Sequence, residues 1–252
     1  MSGLAKKKVK IWYRAVGGSQ EESTAFYDRT DFCWAASLEA NWESIRDEIE
    51  NFMSNKSDSI RPYFNRRLAS APQKWKTIGF KFWNRDFKEN QEACPETMKV
   101  MADIPHVTTI SVSILEPGVE IYVHNGDTNA AYRCHLPLSV PAPLPYCGFR
   151  VGGETRSWKE GELLIFNDAA LHEAWNRTDQ PRYVLLFDVF RPEFIHKKHR
   201  VCAFVLATMT MQALKQKYVL IQNAPTIVKA NMQRAIAVWA WVSLRLQNGG
   251  VA

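Results

Sequence analysis

Apolar residues recur along this chain with two periods, and each predicts a different kind of element. Between residues 32 and 53, Leu38, Trp42, Ile45, Ile49 and Met53 step by four, three, four and four, which stacks them on one helix face. Residues 54–75, rich in Asn, Ser and Pro, read as loop. Pro95 then opens a short helix carrying Met98, Val100 and Met101. From Val107 the period drops to two. Residues 108–115 alternate and are β-branched, Glu116-Pro117-Gly118 turns the chain, and 119–123 resume the alternation. Further strand-like segments fall at 132–140, 147–151, 162–166 and 183–190, divided by Asn/Gly, Pro-rich and Gly-Gly turns. Short strands at this spacing predict an antiparallel sandwich, barrel or jelly roll, and the lack of long helices between them speaks against a doubly wound α/β sheet. Helical texture returns over 201–219 and 226–246, the second opened by Pro225 and broadly apolar through Ile227, Met232, Ile236, Trp239 and Leu246.

Composition narrows the class. With 46% hydrophobic and 23% charged residues in 252, disorder and fibrous classes are excluded. The five cysteines form an odd set without a CxxC pair, which argues against a disulfide scaffold or structural zinc module and for a reducing compartment. The start, Met1-Ser2-Gly3-Leu4 followed by Lys6-Lys7-Lys8, lacks the apolar core of a secretory signal, and no apolar run reaches the roughly 20 residues of a membrane span. A cytoplasmic location is the expectation. The net charge of +6 is unevenly placed: all 26 acids precede Phe194, whereas eight of the 32 Lys and Arg follow it. An acid-free stretch of that length marks a unit with its own partner.

Two of the six histidines sit where chemistry is expected. His124 follows the strand 119–123, and His172 lies 48 residues later, after Leu163-Leu164-Ile165-Phe166-Asn167-Asp168. Imidazoles at the mouths of two jelly-roll strands can converge on one metal. Two His with a carboxylate and open positions is the arrangement of non-haem Fe(II) oxygenases. The carboxylate normally stands two residues after the first His, and that residue here is Gly126. The competing reading is two half-buried, hydrogen-bonded histidines. Arg182 leads the apolar strand Tyr183-Val184-Leu185-Leu186-Phe187; buried there it needs an anion, for which the distal carboxylate of 2-oxoglutarate is suited, and otherwise it faces water.

The stretch Ser111-Val112-Ser113-Ile114-Leu115-Glu116-Pro117-Gly118 with Val123-His124-Asn125-Gly126 resembles the aspartyl/asparaginyl β-hydroxylase family of Fe(II)/2-oxoglutarate oxygenases. So do Tyr132-Arg133-Cys134-His135-Leu136, Trp158-Lys159-Glu160-Gly161-Glu162, His172-Glu173-Ala174-Trp175 and Asp188-Val189-Phe190-Arg191-Pro192-Glu193, in order over about 26–196. That family carries His-x-Gly in place of His-x-carboxylate, so Gly126 becomes support. The resemblance implies a mainly β fold with flanking helices: a double-stranded β-helix, cupin-like, with a helical N-terminal part over about 26–105 and a jelly-roll core over about 106–196; the basic, acid-free helical extension at 197–252 lies outside the resemblance and is read from its periodicity and charge. The resemblance implies His124 and His172 as iron ligands, Arg182 and Ser113 on the distal carboxylate of 2-oxoglutarate, and His135 on the metal-side carboxylate. Arg133 falls where the family contacts an acidic substrate group or the cosubstrate. Asp168 resembles an acid that orients a water on iron, or else caps a turn. Asp127 reads as turn chemistry, Glu173 as strand-exposed and Asp188 as structural, and alternation turns Cys134 away from the face of Arg133 and His135.

The activity implied is O₂-dependent hydroxylation of an unactivated C–H bond, with 2-oxoglutarate released as succinate and CO₂. The substrate is small-molecule, peptidyl or a lipid acyl chain. A halide at the position Gly126 leaves open would redirect the outcome, and a catalytically silent jelly-roll binding module is the reading from another class. For the basic extension two readings stand: peripheral contact with an anionic membrane, or a helical hairpin that packs on the core or forms a homodimer. Its apolar content speaks against nucleic acid.

Overall fold

Among the described residues of this computed structural model, 10–18 and 24–247, the alternating segments become strands and the three-to-four stepped ones become helices. The Lys6-Lys7-Lys8 start lies outside them. In chain order the strands are β1 (Phe26–Tyr27), β2 (Arg61–Pro62), β3 (Trp75–Phe82), β4 (Arg85–Asp86), β5 (Val107–Leu115), β6 (Val119–His124), β7 (Ala131–Ser139), β8 (Cys147–Val151), β9 (Glu154–Arg156), β10 (Leu164–Phe166), β11 (His172–Asn176) and β12 (Arg182–Phe190). The helices are α1 (Ala35–Ala40), α2 (Trp42–Asn55), α3 (Lys88–Glu92), α4 (Pro95–Ala102), α5 (Lys198–Lys217), α6 (Val219–Asn223) and α7 (Thr226–Gln247).

The larger sheet runs β1-β10-β7-β12-β5-β3-β2 with β4 on β3, and the smaller runs β6-β11-β8-β9. Every pairing named for these strands is antiparallel. Period two divides each long strand between two cores. On β12, Tyr183, Leu185, Phe187 and Val189 join Ile110, Val112 and Ile114 of β5 beneath the N-terminal helices. The alternate residues, Arg182, Val184, Leu186 and Asp188, turn the other way. There the two sheets close over Trp75, Leu115, Phe149, Trp158, Phe166 and Val184, which makes the fold a double-stranded β-helix, or jelly roll.

The N-terminal helices seal the outer face. Ile45, Ile49 and Phe52 of α2 are fully buried there, and Glu48 reaches across to accept the first free N–H groups of α4, from Glu96 at 3.0 Å and Thr97 at 2.7 Å. The expected single helix face from Leu38 to Met53 is instead two helices. Asn41 divides them, its side chain donating back to the Ser37 carbonyl in competition with the helical ladder. β3 is absent from the strands read above, yet it lies next to β5 within the larger sheet.

The extension shares a core with the jelly roll. Val201, Val205 and Leu206 of α5 and Ala240 and Leu244 of α7 bury against Trp83, Ala130, Phe190 and Phe194. Among the described residues no helix is long and apolar enough to cross a membrane. The five cysteines are free, and all but Cys33 are buried. Cys134 lies in the outer core, behind the strand that presents Arg133 and His135.

Candidate active site

His124 closes β6 and His172 opens β11, and the two are direct partners across the antiparallel ladder. Their rings stand 4.2 Å apart, centre to centre. The backbone selects the tautomer of both. Nδ1 of His124 donates to the Tyr122 carbonyl at 2.7 Å, and Nδ1 of His172 to the Ala170 carbonyl at 2.9 Å. A carbonyl only accepts, so each Nδ1 carries the proton and each Nε2 keeps its lone pair. Burial, with the neighbouring His172 second, pushes the pKa of His124 down to about 3; burial pushes that of His172 down to about 4. Both rings are therefore neutral at pH 7, as metal ligation requires.

His135 is held the other way round. Trp158 donates its indole N–H to His135 Nδ1 at 3.3 Å, so Nε2 is the protonated nitrogen and a donor. Burial keeps this imidazole neutral as well, well below its ordinary range. Three histidines line one cavity, two offering lone pairs and one offering a proton.

Arg182 is 1% exposed and so does not face water. Its guanidinium lies 4.5 Å from the Trp158 ring centre, and its Nη1 reaches only the Ser113 carbonyl, at 3.4 Å. Nε has no partner. Burial pulls its pKa down to about 10, with no carboxylate among the groups that offset it. A buried cation left this way is destabilising until an anion meets it. Ser113 stands on the adjacent strand, its Oγ accepting from Trp75 Nε1 at 3.1 Å, which leaves the hydroxyl proton to donate into the same cavity.

Half-buried Arg133 and buried Asp168 and Asp188 form a trio. The guanidinium donates to Asp188 through Nε at 2.8 Å and Nη2 at 3.0 Å, and to Asp168 through Nη1 at 2.6 Å. Burial opposes the Arg133 charge, but the two acids outweigh it and hold its pKa well above the usual value. Both of its edges are thus occupied by protein carboxylates. Asp168 Oδ1 also lies 3.5 Å from His172 Nε2. The turn is capped instead by Asn167, whose Oδ1 accepts from the Ala169 N–H at 3.1 Å. The remaining acids are paired elsewhere, Asp127 with Arg14 and Glu173 with Arg150, each at 2.7 Å.

Gly126 is explained by the same carboxylate. Its N–H donates to the Asp168 carbonyl at 2.7 Å, and a Cβ placed on it would run into the Asp168 side chain. The space where a third ligand would begin is filled by Asp168 from the turn between β10 and β11. Among the described residues, no group of three or more His, Cys, Asp or Glu is placed to hold an ion, so the candidate centre is a two-imidazole one. The donor set fits ferrous iron with open positions: two neutral nitrogens, an acid alongside and a cation across the cavity.

Sequence reasoning overlooked Tyr63 and Trp75, which stack at 3.7 Å and wall the cavity. Trp75 begins β3, where the alternation Ile78, Phe80, Phe82 carries a strand signal; for Tyr63 no local pattern marks the role.

The family model described as aspartyl/asparaginyl beta-hydroxylase matches residues 39–192. The ornithine lipid ester-linked acyl 2-hydroxylase of Rhizobium tropici is 37% identical over 171 residues, 66% of this chain and 60% of that protein. The human aspartyl/asparaginyl beta-hydroxylase is 33% identical over 172 residues, 65% of this chain and 22% of that protein. The matched stretch thus spans less than two thirds of either relative. A solved prolyl-4-hydroxylase of Pseudomonas putida overlays with a TM-score of 0.43 at 13% identity, covering 67% of this chain and 94% of that one.

Proposed function

This chain belongs to the aspartyl/asparaginyl β-hydroxylase family, and from that premise we propose that it is an Fe(II)/2-oxoglutarate-dependent dioxygenase. It hydroxylates an unactivated C–H bond of an amino-acid-derived, peptidyl or lipid acyl substrate. Bound iron, with 2-oxoglutarate and O₂, supplies the oxidising chemistry, releasing succinate and CO₂.

The chain's own residues divide the remaining work. His124 and His172 offer Nε2 to the iron. The carrying observation is Arg182, a buried guanidinium with an unsatisfied Nε in the cavity that the imidazole pair also lines. A dicarboxylate answers both ends: its distal carboxylate meets Arg182 and the Ser113 hydroxyl, and its metal-side carboxylate accepts from His135 Nε2–H. Asp168, fixed by Arg133, holds an acceptor beside His172 Nε2, where it would orient a water on bound iron, and occupies the volume a protein ligand at 126 would need. The stacked Tyr63–Trp75 pair and Phe149 keep water out. The substrate's way in is a second cavity of about 670 Å³, which meets the first at Arg133 and Leu186 and runs over Thr77, Gly79, Thr109 and Ser111.

The test is O₂-dependent succinate formation from 2-oxoglutarate with Fe(II). His124→Ala and His172→Ala should each abolish it, and turnover persisting in both variants defeats the assignment. Anaerobic titration separates the silent-module reading, since only the enzyme binds Fe(II) and 2-oxoglutarate together. Stimulation of succinate release by amino acids, peptides or lipids then selects the substrate class.

A further inference from the structure

A cavity of about 1020 Å³ opens between the N-terminal segment around Tyr13, the turn Pro192–Lys197, α5 and α7. That is the upper end of small-molecule sites, and it shares no lining residue with the iron-side cavity. Ile11, Tyr13, Phe204, Val238 and Trp241 make its wall apolar. Lys10, Lys197, Arg200 and Arg234 stand among them, with no Asp or Glu in the lining among the described residues. Beside it, α6 and α7 leave Leu220, Ile227, Val238, Trp239 and Leu246 exposed, Leu220 at 88% and Leu246 at 77%.

Each feature narrows the occupant. A small soluble anion would leave the apolar wall against water, and a neutral apolar ligand would leave the cations unanswered. A second copy of this face would set its four lining cations against four like charges, with no acid on either extension. An anionic amphiphile satisfies both demands, and the exposed apolar residues give the extension a bilayer from which to draw it. We propose that this groove takes the acyl chain of an anionic membrane lipid, docking α6 and α7 on an anionic bilayer with the four cations at the headgroups. The inference stands apart from the iron chemistry and is read without it.

The test is co-sedimentation of the full chain with vesicles of phosphatidylcholine alone or mixed with phosphatidylglycerol. Partitioning to the mixed vesicles only, weakened by salt, is expected. The triple variant Lys197→Gln, Arg200→Gln, Arg234→Gln should lose about fivefold per cation, on the order of a hundredfold in all. Ala237→Trp plugs the groove without changing charge; it should protect Trp241 from quenching by brominated acyl chains, with Trp241→Phe reporting that residue's share. Circular dichroism confirms that each variant is folded, and the charge variant carries the test if Ala237→Trp is not. Equal partitioning to both vesicle types overturns the proposal. So does unchanged binding of the charge variant, or a concentration-dependent doubling of mass without vesicle binding, which would assign the groove to a second copy.

Discussion

Gly126→Ala isolates the feature that makes this site a two-histidine one. Gly126 does not have the left-handed φ that demands glycine elsewhere in the chain. Its requirement is steric, because the added Cβ would occupy the position of the Asp168 carboxylate. Asp168 is 5% exposed and cannot swing into solvent without leaving Arg133, to which it is bonded at 2.6 Å. Forcing a methyl group into a filled site costs about 1–3 kcal/mol, and losing a buried charge-assisted hydrogen bond about 1.5–3 kcal/mol more. The expected loss is therefore about 2.5–6 kcal/mol, a fall in Tm of roughly 5–25 °C for a domain of this size. Urea denaturation of Gly126→Ala, Asp168→Gly and the double variant forms a cycle. Removing the Asp168 side chain empties the space the methyl group needs, so the double variant should be no less stable than Asp168→Gly, with coupling above about 1 kcal/mol. Stability of Gly126→Ala within about 0.5 kcal/mol of the parent, or strict additivity, would refute the reasoning. Gly126→Asp meets the same obstacle with a second negative charge, so it should not install a third ligand.

Three further outcomes follow from the same geometry. Arg182→Met removes a buried, unpartnered charge, so the ligand-free protein should melt no lower than the parent while the affinity for 2-oxoglutarate falls at least about a hundredfold; a large melting loss with unchanged affinity contradicts the anion role. His124 and His172 have folded pKa values of about 3 and about 4 against an unfolded value near 6.5. The unfolded chain therefore binds more protons between those limits. Metal-free stability should be complete above about pH 6.5 and decline toward pH 4 by up to about 1.4 kcal/mol per pH unit per histidine; a flat urea midpoint from pH 7.5 to 5 rejects this. Leu206→Ala should destabilise the whole chain by about 2–4 kcal/mol, because Leu206 belongs to a core that includes Phe190 of β12; an unshifted unfolding transition would show α5 to be independent.

The placement of Asp188 shows how one local rule serves two ends. It shares a face of β12 with Arg182, six residues apart, so a single strand brings both the cation left for an anion and the acid that anchors Arg133. The two arginines meet opposite fates by position alone. Arg133 is clamped by two carboxylates, whereas among the described residues Arg182 meets only an indole face and a distant carbonyl.

What the sequence determined was whatever depends on near neighbours. The alternation of β5 and β12 dictated which side chains face the cavity and which face the helices, and that of β7 turned Cys134 from Arg133 and His135. The acid-free run after Glu193 was plain to read, as was the spacing that put His124 and His172 at the mouths of strands. Tertiary structure alone decided that Asp168 fills the space beside Gly126, 42 residues away, and that Asp188, 55 residues from Arg133, shares it with Asp168. It alone also docked α5 against Phe190 and set Tyr63 on Trp75. The reason is range: side-chain direction repeats every two or 3.6 residues and survives in a short window. Contacts between sheets depend on the register and stacking of strands far apart in the chain, which no local period encodes.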